Sequence, residues 1–224
     1  MNTQPRRYKY RTIYTWTPEL AYVAGLIAAD GCLYNDGRHI SLTSMDDDLL
    51  ELVIHLLGLS CEVKRKSNGR GGLCGHIQFS DVALYDFFIA VGITPAKSKT
   101  ILQVTVPDKL YASFLRGYFD GDGSVWGFWD QRWRSSLMYY TSYTSASRSF
   151  LVWLQTKNTE LADVGPATIG ICSGAFSLRY AKADSLKLFK FMYPADNATV
   201  PGLLRKYLKF VDFLASDPYA SKAL

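Results

Sequence analysis

Two aspartates in this chain, Asp30 and Asp122, each end a short apolar stretch and stand directly before a glycine. If the two stretches lie side by side, the two carboxylates come close together. Like charges at short range raise one pKa strongly unless a cation lies between them, and a helix C-terminus adds negative potential. Mg²⁺ usually takes one or two carboxylates, with waters and substrate phosphates as its other ligands. The pair therefore predicts a divalent metal site completed by a phosphate substrate, which suits phosphodiester hydrolysis.

The stretches that carry these acids form an internal repeat with small residues along one face. They read LAYVAGLIAADGCL at 20–33 and YASFLRGYFDGDGSV at 111–125, and both are predicted to be helices. Small residues recur at four-residue intervals, which lets another helix backbone approach that face closely. The predicted helix-interface residues are Ala21, Gly25 and Ala29 in the first copy and Ser113, Gly117 and Gly121 in the second.

The repeat continues beyond the two helices. HISLTSMDDDLLELVIHLLG and MYYTSYTSASRSFLVWLQTK share a Thr-Ser pair before an N-cap candidate, Asp46 or Ser147, that opens an amphipathic helix. Two strands around a glycine-containing turn and a further helix follow in each copy. The predicted fold class is α+β, with two αββαββα half-domains related by a pseudo-twofold axis, at 18–106 and 107–224, after a basic tail at 1–17. Gly31 is expected to end the first helix in a left-handed turn.

Composition and charge narrow the class of protein. The chain has 224 residues, 48% of them hydrophobic, so it is long and apolar enough for a folded core. A net charge of +5 favours polyanionic partners, although a nucleic-acid role must come from local basic patches. The four cysteines are widely spaced, without a C-x-x-C pair or clustered histidines, so neither zinc nor a disulfide framework is predicted. No signal peptide and no apolar run of ~20 residues is present, so we expect a soluble protein inside the cell, in a prokaryotic cytoplasm or an organelle.

The strings VAGLIAADG at 23–31 and LRGYFDGDG at 115–123 resemble the two signature copies of the LAGLIDADG homing endonucleases in their monomeric form. The resemblance covers nearly the whole chain, from about Pro18 to Leu214. It implies a monomer that binds a long double-stranded DNA target, has no contact with membranes, and hydrolyses one phosphodiester in each strand. It also implies Mg²⁺ as the cofactor, with Mn²⁺ able to substitute and Ca²⁺ binding without supporting cleavage.

The same resemblance assigns roles to the acids of the two motifs. Asp30 and Asp122, at the eighth motif position, are expected to be the catalytic and metal-binding acids. The sixth position is usually acidic in the family, but here it is Ala28 in the first copy and Asp120 in the second, which leaves the role of Asp120 open. The further expected metal ligands are the backbone groups of Ala29 and Gly121.

Basic and hydroxyl side chains are implied at the site as well. In the family, a basic residue after the late helix of each half-domain lies near the scissile phosphate. The matches are Lys97, with Lys99 as an alternative, and Lys206, with Arg205 beside it. Such a lysine stabilises developing negative charge or orients the attacking water. The water-positioning candidates are Ser44 and Ser145, which could equally cap the helices that follow them.

Family members form a curved saddle of antiparallel strands whose exposed face follows the DNA major groove. Such strands need one apolar face and one polar, basic face. QRWRSSLMYYTSY, GHIQFS and the strand around Ser177 alternate in this way, and the arginines favour the even-numbered face of the first. Arginine can bind guanine and glutamine adenine in bidentate fashion, so the base-reading candidates are Arg38, Gln78, Arg132, Arg134 and Arg179. The phosphate-contact candidates are Lys64, Lys66 and Arg70, and His76, Tyr140 and Ser177 complete the predicted DNA-binding set.

Two other functions stay open on the same fold. One is an intron maturase, an RNA-binding splicing cofactor, and retention of both Asp30 and Asp122 is compatible with it. The other is a non-cutting DNA-binding protein, a class that tends to lose the paired acids and to add a helix-turn-helix. The chain starts without a nucleophile and ends without His-Asn, so we expect a free-standing or intron-encoded enzyme and not an intein.

Overall fold

The computed structural model describes residues 12–69, 71–132, 137–194 and 201–216. In the described residues the predicted order of helix, two strands, helix, two strands and helix occurs twice, and a further helix follows the second copy. The first half contains α1 Pro18–Ala29, β1 Gly31–Leu33, β2 His39–Ser44, α2 Asp47–Leu57, β3 Lys64–Ser67, β4 Leu73–Ser80 and α3 Val82–Ala90. The second half contains α4 Tyr111–Asp122, β5 Gly123–Trp129, β6 Leu137–Ser145, α5 Arg148–Ala162, β7 Thr168–Cys172, β8 Ala175–Tyr180, α6 Lys182–Met192 and α7 Leu204–Ser216.

Local sequence explains where several helices begin. The Thr17 hydroxyl accepts a hydrogen bond from the Leu20 N–H at 3.1 Å, and a proline fills the first position of α1, where no N–H is needed. Ser147 caps α5 in the same way, by accepting from the N–H of Phe150. Asp46 precedes α2 without making such a bond, because its carboxylate is engaged elsewhere, as described below.

Each half contains a four-stranded antiparallel sheet, in the orders β1-β2-β4-β3 and β5-β6-β8-β7. The registers are equivalent: Ser41 pairs with Cys32 and Gln78 in the first sheet, as Ser142 pairs with Ser124 and Arg179 in the second. One face of each sheet packs on the helices through alternate apolar residues. We call the opposite face the open face. The predicted α+β fold with two pseudosymmetric halves is confirmed by this topology.

Helices α1 and α4 pack against each other along their small residues. A Cβ on Gly25 would lie 2.1 Å from the carbonyl oxygen of Phe114, and one on Gly117 would lie 1.9 Å from that of Tyr22. Near the ends of the helices, a Cβ on Gly121 would lie 2.4 Å from the Cβ of Ala29. These distances are far below van der Waals contact, so the close approach of the two backbones requires glycine. The other small residues of the stripe, Ala21 and Ser113, are buried as well.

The prediction that Gly31 ends α1 in a left-handed turn is wrong. The cap residue is Asp30, with φ at −100°, and its N–H donates to the Leu26 carbonyl at 2.9 Å. Glycine is needed at position 31 for space, because a Cβ there would lie 2.6 Å from the Cα of Ile27. The same holds at the end of α4, where a Cβ on Gly123 would lie 2.6 Å from the Cα of Phe119.

The prediction that Arg132 lies on a strand is wrong. Arg132 lies in a turn after β5, where its guanidinium pairs with Asp130 at 2.9 Å. The carboxylate two residues before Arg132 offers its guanidinium an ion pair within the turn, and the alternating pattern of the sequence did not reveal this. Arg134 and Arg70, which were also predicted to contact DNA, lie outside the described residues.

Candidate active site

The two motif aspartates lie at the ends of the packed helices. Asp30 caps α1 and Asp122 is the last residue of α4. The absence of a side chain on Gly121 leaves room for the first of them, since a Cβ there would lie 3.2 Å from the Asp30 Oδ2 atom. The helix contact thus brings one acid from each half to the same place, at the start of both β1 and β5.

The surroundings of these acids disfavour their charged forms. Burial and, second to it, the nearby Asp30 raise the pKa of Asp122 to about 6, while Lys97 and Lys206 oppose the change. Burial also raises the pKa of Asp30, again against the two lysines. Asp30 still has an exposed surface, so the carboxylates are reachable from solvent although protein displaces much of their water.

Lys97 supplies the positive charge of the first half. It is only 5% exposed, in the short 3-10 helix Lys97–Lys99, and its Nζ donates to the Gly31 carbonyl at 2.5 Å. Burial lowers the pKa of Lys97, and the nearby Cys32, Asp122 and Asp30 oppose that change. Lys99, the alternative, is exposed.

Lys206, on α7, is the corresponding buried lysine of the second half, with 7% of its surface exposed. Its Nζ donates to the carbonyl oxygens at the end of α4, and burial lowers its pKa to about 8. Arg205 points elsewhere: its guanidinium binds both carboxylate oxygens of Asp46, at 2.7 and 2.6 Å, and so links α7 to the first half. The carbonyl acceptors of Lys206 are those of Phe119 at 2.6 Å, Asp120 at 2.8 Å, Gly121 at 3.3 Å and Gly123 at 2.7 Å.

Asp120, at the sixth motif position, is buried, and its carboxylate is hydrogen-bonded to groups of the protein. Its Oδ2 accepts from the N–H of Leu203 at 2.7 Å and from the hydroxyl of Tyr22 at 2.9 Å. Leu203 stands just before α7, and its own carbonyl accepts from the N–H of Lys206. Asp120 therefore anchors the segment that carries Lys206. The first half has a buried Ala28 at this position and, in the described residues, no helix equivalent to α7.

The chemistry of this donor set fits a divalent metal ion. Neither Asp30 nor Asp122 accepts a hydrogen bond from another side chain in the described part of the protein, so their oxygens are available to a cation. The described residues contain no cluster of three or more acidic, histidine or cysteine ligands. An ion held here would take its remaining ligands from water and substrate, which is usual for Mg²⁺. Of the two predicted backbone ligands, the Gly121 carbonyl already accepts a long bond from Lys206.

The two predicted water-positioning serines both make local hydrogen bonds. The Ser44 hydroxyl accepts from the N–H of Asp46, and the Ser145 hydroxyl accepts from the N–H of Ser147, each at 3.1 Å. These bonds shape the turn before each second helix. Ser44 also lines an open cleft of about 540 Å³ that includes Asp30 and Lys66.

The open face of the first sheet is polar and basic. His76 pairs across the strands with Lys64 and Thr43, and its ring nitrogen lies 3.0 Å from the Thr43 hydroxyl. Lys66 lies on the same outer strand, and Gln78 follows along β4, where it accepts from the Tyr34 hydroxyl at 3.4 Å. Arg38 is exposed in the turn before β2, 3.9 Å from Asp36. The described candidates of this half therefore lie at or beside one open surface.

The open face of the second sheet is aromatic. Tyr140 and Arg179, both predicted to contact DNA, lie there beside Trp126, and Ser177 is on the same face. Trp126 and Phe128 were not among the residues predicted from the sequence. The alternation of Val125, Trp126, Gly127 and Phe128 was the available signal, because it places two large aromatic residues on the face opposite a buried valine.

The sequence profile of the LAGLIDADG-like domain matches residues 17–72 and 109–157, one segment in each half of the chain. Each matched segment contains a motif helix, the two strands after it and the next helix. The two matches and the pseudosymmetric fold together make this chain a two-motif member of the LAGLIDADG family.

Solved structures share the fold at low sequence identity. The LAGLIDADG homing endonuclease I-GzeII, in complex with its DNA target, is 12% identical, with 93% of this chain and 92% of that chain covered and a TM-score of 0.60. The meganuclease I-AabMI, bound to uncleaved DNA, is 16% identical over 91% and 92% of the chains, with a TM-score of 0.59. Full-length DUF199/WhiA from Thermatoga maritima is 16% identical over 95% of this chain and 72% of that chain, with a TM-score of 0.56.

A curated relative matches a smaller part of the chain. An A-type ATP synthase subunit of Methanopyrus kandleri is 30% identical over 111 residues, which are 48% of this chain and 10% of that protein. The chain thus spans about a tenth of the length of this relative. Among the described residues, no helix has the length and apolar character that crossing a membrane requires.

Proposed function

We propose that this protein is a site-specific endonuclease that binds double-stranded DNA as a monomer and hydrolyses one phosphodiester in each strand with Mg²⁺. The observation that carries the proposal is the meeting of Asp30 and Asp122 at the ends of the glycine-packed helices, each with a buried lysine nearby. The two strands of a duplex are related by local twofold symmetry. A protein with an equivalent acid in each half can therefore present one to each strand.

Asp30 and Asp122 would hold the metal, which supplies activation of the attacking water and stabilisation of the leaving oxygen when bound. The protein's own residues prepare that site. Burial, and for Asp122 also the nearby Asp30, raises the pKa of these acids, and a bound cation would favour their charged forms. Lys97 and Lys206 add positive charge beside the acids while their ammonium groups stay tied to backbone carbonyls.

Contact with DNA is supported by the two open faces. Lys64 and Lys66 carry exposed charges suited to phosphates, and Gln78 carries an amide suited to adenine. The LAGLIDADG structures with which this chain shares its fold include I-GzeII in complex with a DNA target. The assignment of individual residues of this chain to contacts with bases is part of the proposal.

The test starts with selection of bound duplexes from a randomised library, followed by incubation of the selected target with Mg²⁺. We expect cleavage of both strands by the unaltered protein and loss of double-strand cleavage, by about 10³-fold or more, in Asp30→Asn and in Asp122→Asn, with affinity largely kept. Asp108→Asn is the matched control, because Asp108 makes an exposed ion pair with Lys157 and should leave cleavage unchanged.

Full cleavage by either active-site variant would contradict the assigned roles. Tight duplex binding without cleavage by the unaltered protein would instead make it a DNA-binding protein of the same fold, as the similarity to DUF199/WhiA leaves open. Preferential binding of structured RNA over the selected duplex would favour a maturase. Affinity for duplex DNA should fall by orders of magnitude between low and moderate salt, because phosphate contacts release counterions.

A further inference from the structure

Three aromatic side chains form a continuous row on the open face of the second sheet. The ring centroids of Trp126 and Tyr140 lie 4.8 Å apart with planes inclined by 23°. Phe128 lies 6.1 Å from Trp126 and 6.3 Å from Tyr140, with planes inclined by 18° and 16°. We call these three residues the aromatic ridge. Phe128 is 46% exposed, so the ridge faces solvent at its outer end.

The equivalent positions of the first half are polar. Aligning Asp30 with Asp122 and the paired Ser41 with Ser142 places Tyr34 at the position of Trp126, His39 at that of Tyr140 and Gln78 at that of Arg179. There the Tyr34 hydroxyl donates to Gln78, and the rings of Tyr34 and His39 meet edge to face at 6.3 Å. The ridge is therefore a feature of one half only and is not required by the fold.

We propose that the aromatic ridge recognises thymine methyl groups in the major groove, so that the half-site bound by the second half of the protein is rich in A·T pairs. The inference rests on the proposed function, because it takes duplex DNA as the ligand. Thymine is the base that presents a methyl group in the major groove, and apolar side chains are what recognise it. The net charge of +5 and the exposed Arg179 beside the ridge favour a polyanionic ligand over an apolar partner protein.

The arrangement of the rings favours groove contact over base stacking. A single-stranded base stacks on a free aromatic face. The three rings are instead stacked on one another, and the Arg179 guanidinium carbon lies 5.2 Å from the centroid of Trp126. Much of the ring faces is thus covered, and the edges form the apolar surface of the ridge.

The position of the ridge predicts where in the target the thymines lie. Trp126 and Phe128 stand on β5, which begins directly after Asp122. At a rise of about 3.3 Å per residue they are roughly 13 and 20 Å along the strand from that acid. Since base pairs are stacked about 3.4 Å apart, the preference for thymine should lie about four to six base pairs from the cleavage centre.

The experiment measures binding of the selected duplex in Ca²⁺ with thymine replaced by deoxyuridine, which removes only the methyl group. Replacement is made in one half-site at a time, for the unaltered protein, Trp126→Ala and the matched first-half variant Tyr34→Ala. We expect deoxyuridine in one half-site to weaken binding by about fourfold per contacted thymine. Trp126→Ala should bind the thymine and deoxyuridine targets alike, while Tyr34→Ala should keep the difference.

Equal binding of thymine and deoxyuridine targets by the unaltered protein would overturn the inference and leave the proposed function standing. Tighter binding of single-stranded than of duplex DNA, lost in Trp126→Ala, would make the ridge a stacking platform and also overturn it. Failure to bind any duplex would overturn the proposed function and the inference together. If Trp126→Ala does not fold, Phe128→Ala takes its place, because the ring of Phe128 is more exposed and contributes less to folding.

Discussion

The two halves of this protein are alike where they meet and unlike on the faces they turn outward. At the contact, each contributes an aspartate at a helix end, a glycine that leaves space and a buried lysine nearby. On the open faces, β3 carries Lys64 and Lys66, whereas the equivalent strand β7 has no charged residue, and the aromatic ridge lies on β5 and β6 of the same sheet. The centre is constrained by packing and by charge, while an exposed strand face can change without loss of the fold.

A smaller difference lies within the centre itself. Lys97 donates to one backbone carbonyl, whereas Lys206 donates to four at the end of α4. The second arrangement depends on α7 and on Asp120, which holds the residue before that helix. The two buried lysines therefore differ in their hydrogen-bond acceptors, and we expect them to contribute differently to stability. Four sets of substitutions test how far the two halves are alike and where they differ.

The largest effect is expected at the contact that the halves share. Gly25→Ala and Gly117→Ala each place a Cβ within 2.1 Å of a carbonyl oxygen of the opposite helix, so we expect a loss of more than about 4 kcal/mol in the free energy of unfolding, or no folded protein. Gly170→Ala is the matched control, since nothing lies within 4 Å of the added carbon. Urea denaturation followed by circular dichroism measures all three. A near-neutral Gly117→Ala would contradict the close helix contact.

The two lysines should differ in a stability measurement. Lys206→Met removes the donor for four carbonyls and should lower the free energy of unfolding by about 3 kcal/mol, whereas Lys97→Met removes the donor for one and should lower it by about 1 kcal/mol. Urea denaturation at pH 7 without metal compares them. Equal losses would show that the four-carbonyl arrangement adds nothing to the stability of the second half.

The acids should destabilise the metal-free protein. The pKa of Asp122 is raised to about 6 in the folded state, so the folded protein binds more protons than the unfolded chain between about pH 4 and pH 6. Stability therefore falls as pH rises through that window. Asp122→Asn removes the cost, and at pH 7.5 it should raise the free energy of unfolding by about 1–2 kcal/mol, allowing for partial solvation, and Tm by a few degrees.

The control for this prediction is the pH itself. At pH 4 the unaltered protein and Asp122→Asn should unfold at nearly the same temperature, because the carboxyl is then neutral in the folded state. Added Mg²⁺ should stabilise the unaltered protein at pH 7.5, less so below pH 6, and the variant hardly at all. An unchanged Tm of the variant at pH 7.5 would contradict the burial and crowding assigned to Asp122.

The smallest effect concerns the open faces. Lys64→Ala and Lys66→Ala should each weaken binding of the selected duplex a few-fold and reduce the slope of log K against log salt by about 1, because each lysine is expected to neutralise a phosphate. Trp126→Ala should leave that slope unchanged, since an apolar contact releases no counterion. Fluorescence anisotropy over a range of salt concentrations measures both. A changed slope in Trp126→Ala would remove the proposed contrast between a basic and an apolar face.

Much of the fold could be predicted from the sequence, because short-range sequence patterns reveal the repeat. The small residues at four-residue spacing, the Thr-Ser pairs before the second helices and the alternating strands are all local signals. The errors arose where local alternatives compete. Gly31 has the residue type of a left-handed cap but is required for space against Ile27, and Arg132 pairs with Asp130 in a turn where alternation suggested a strand.

By itself, the sequence determined the order of elements, the helix contact and the convergence of Asp30 with Asp122, because two glycine-striped helices have few other ways to bury their bare faces. Only the tertiary structure distinguished the buried Lys97 from the exposed Lys99, and the buried Lys206 from Arg205, which pairs with Asp46, since burial depends on elements distant in the chain. It also decided that Asp120 supports α7, and that Trp126 and Tyr140 stack across two strands. These contacts depend on strand register and on how the helices pack, which bring together residues that are far apart in the sequence and that no local pattern connects.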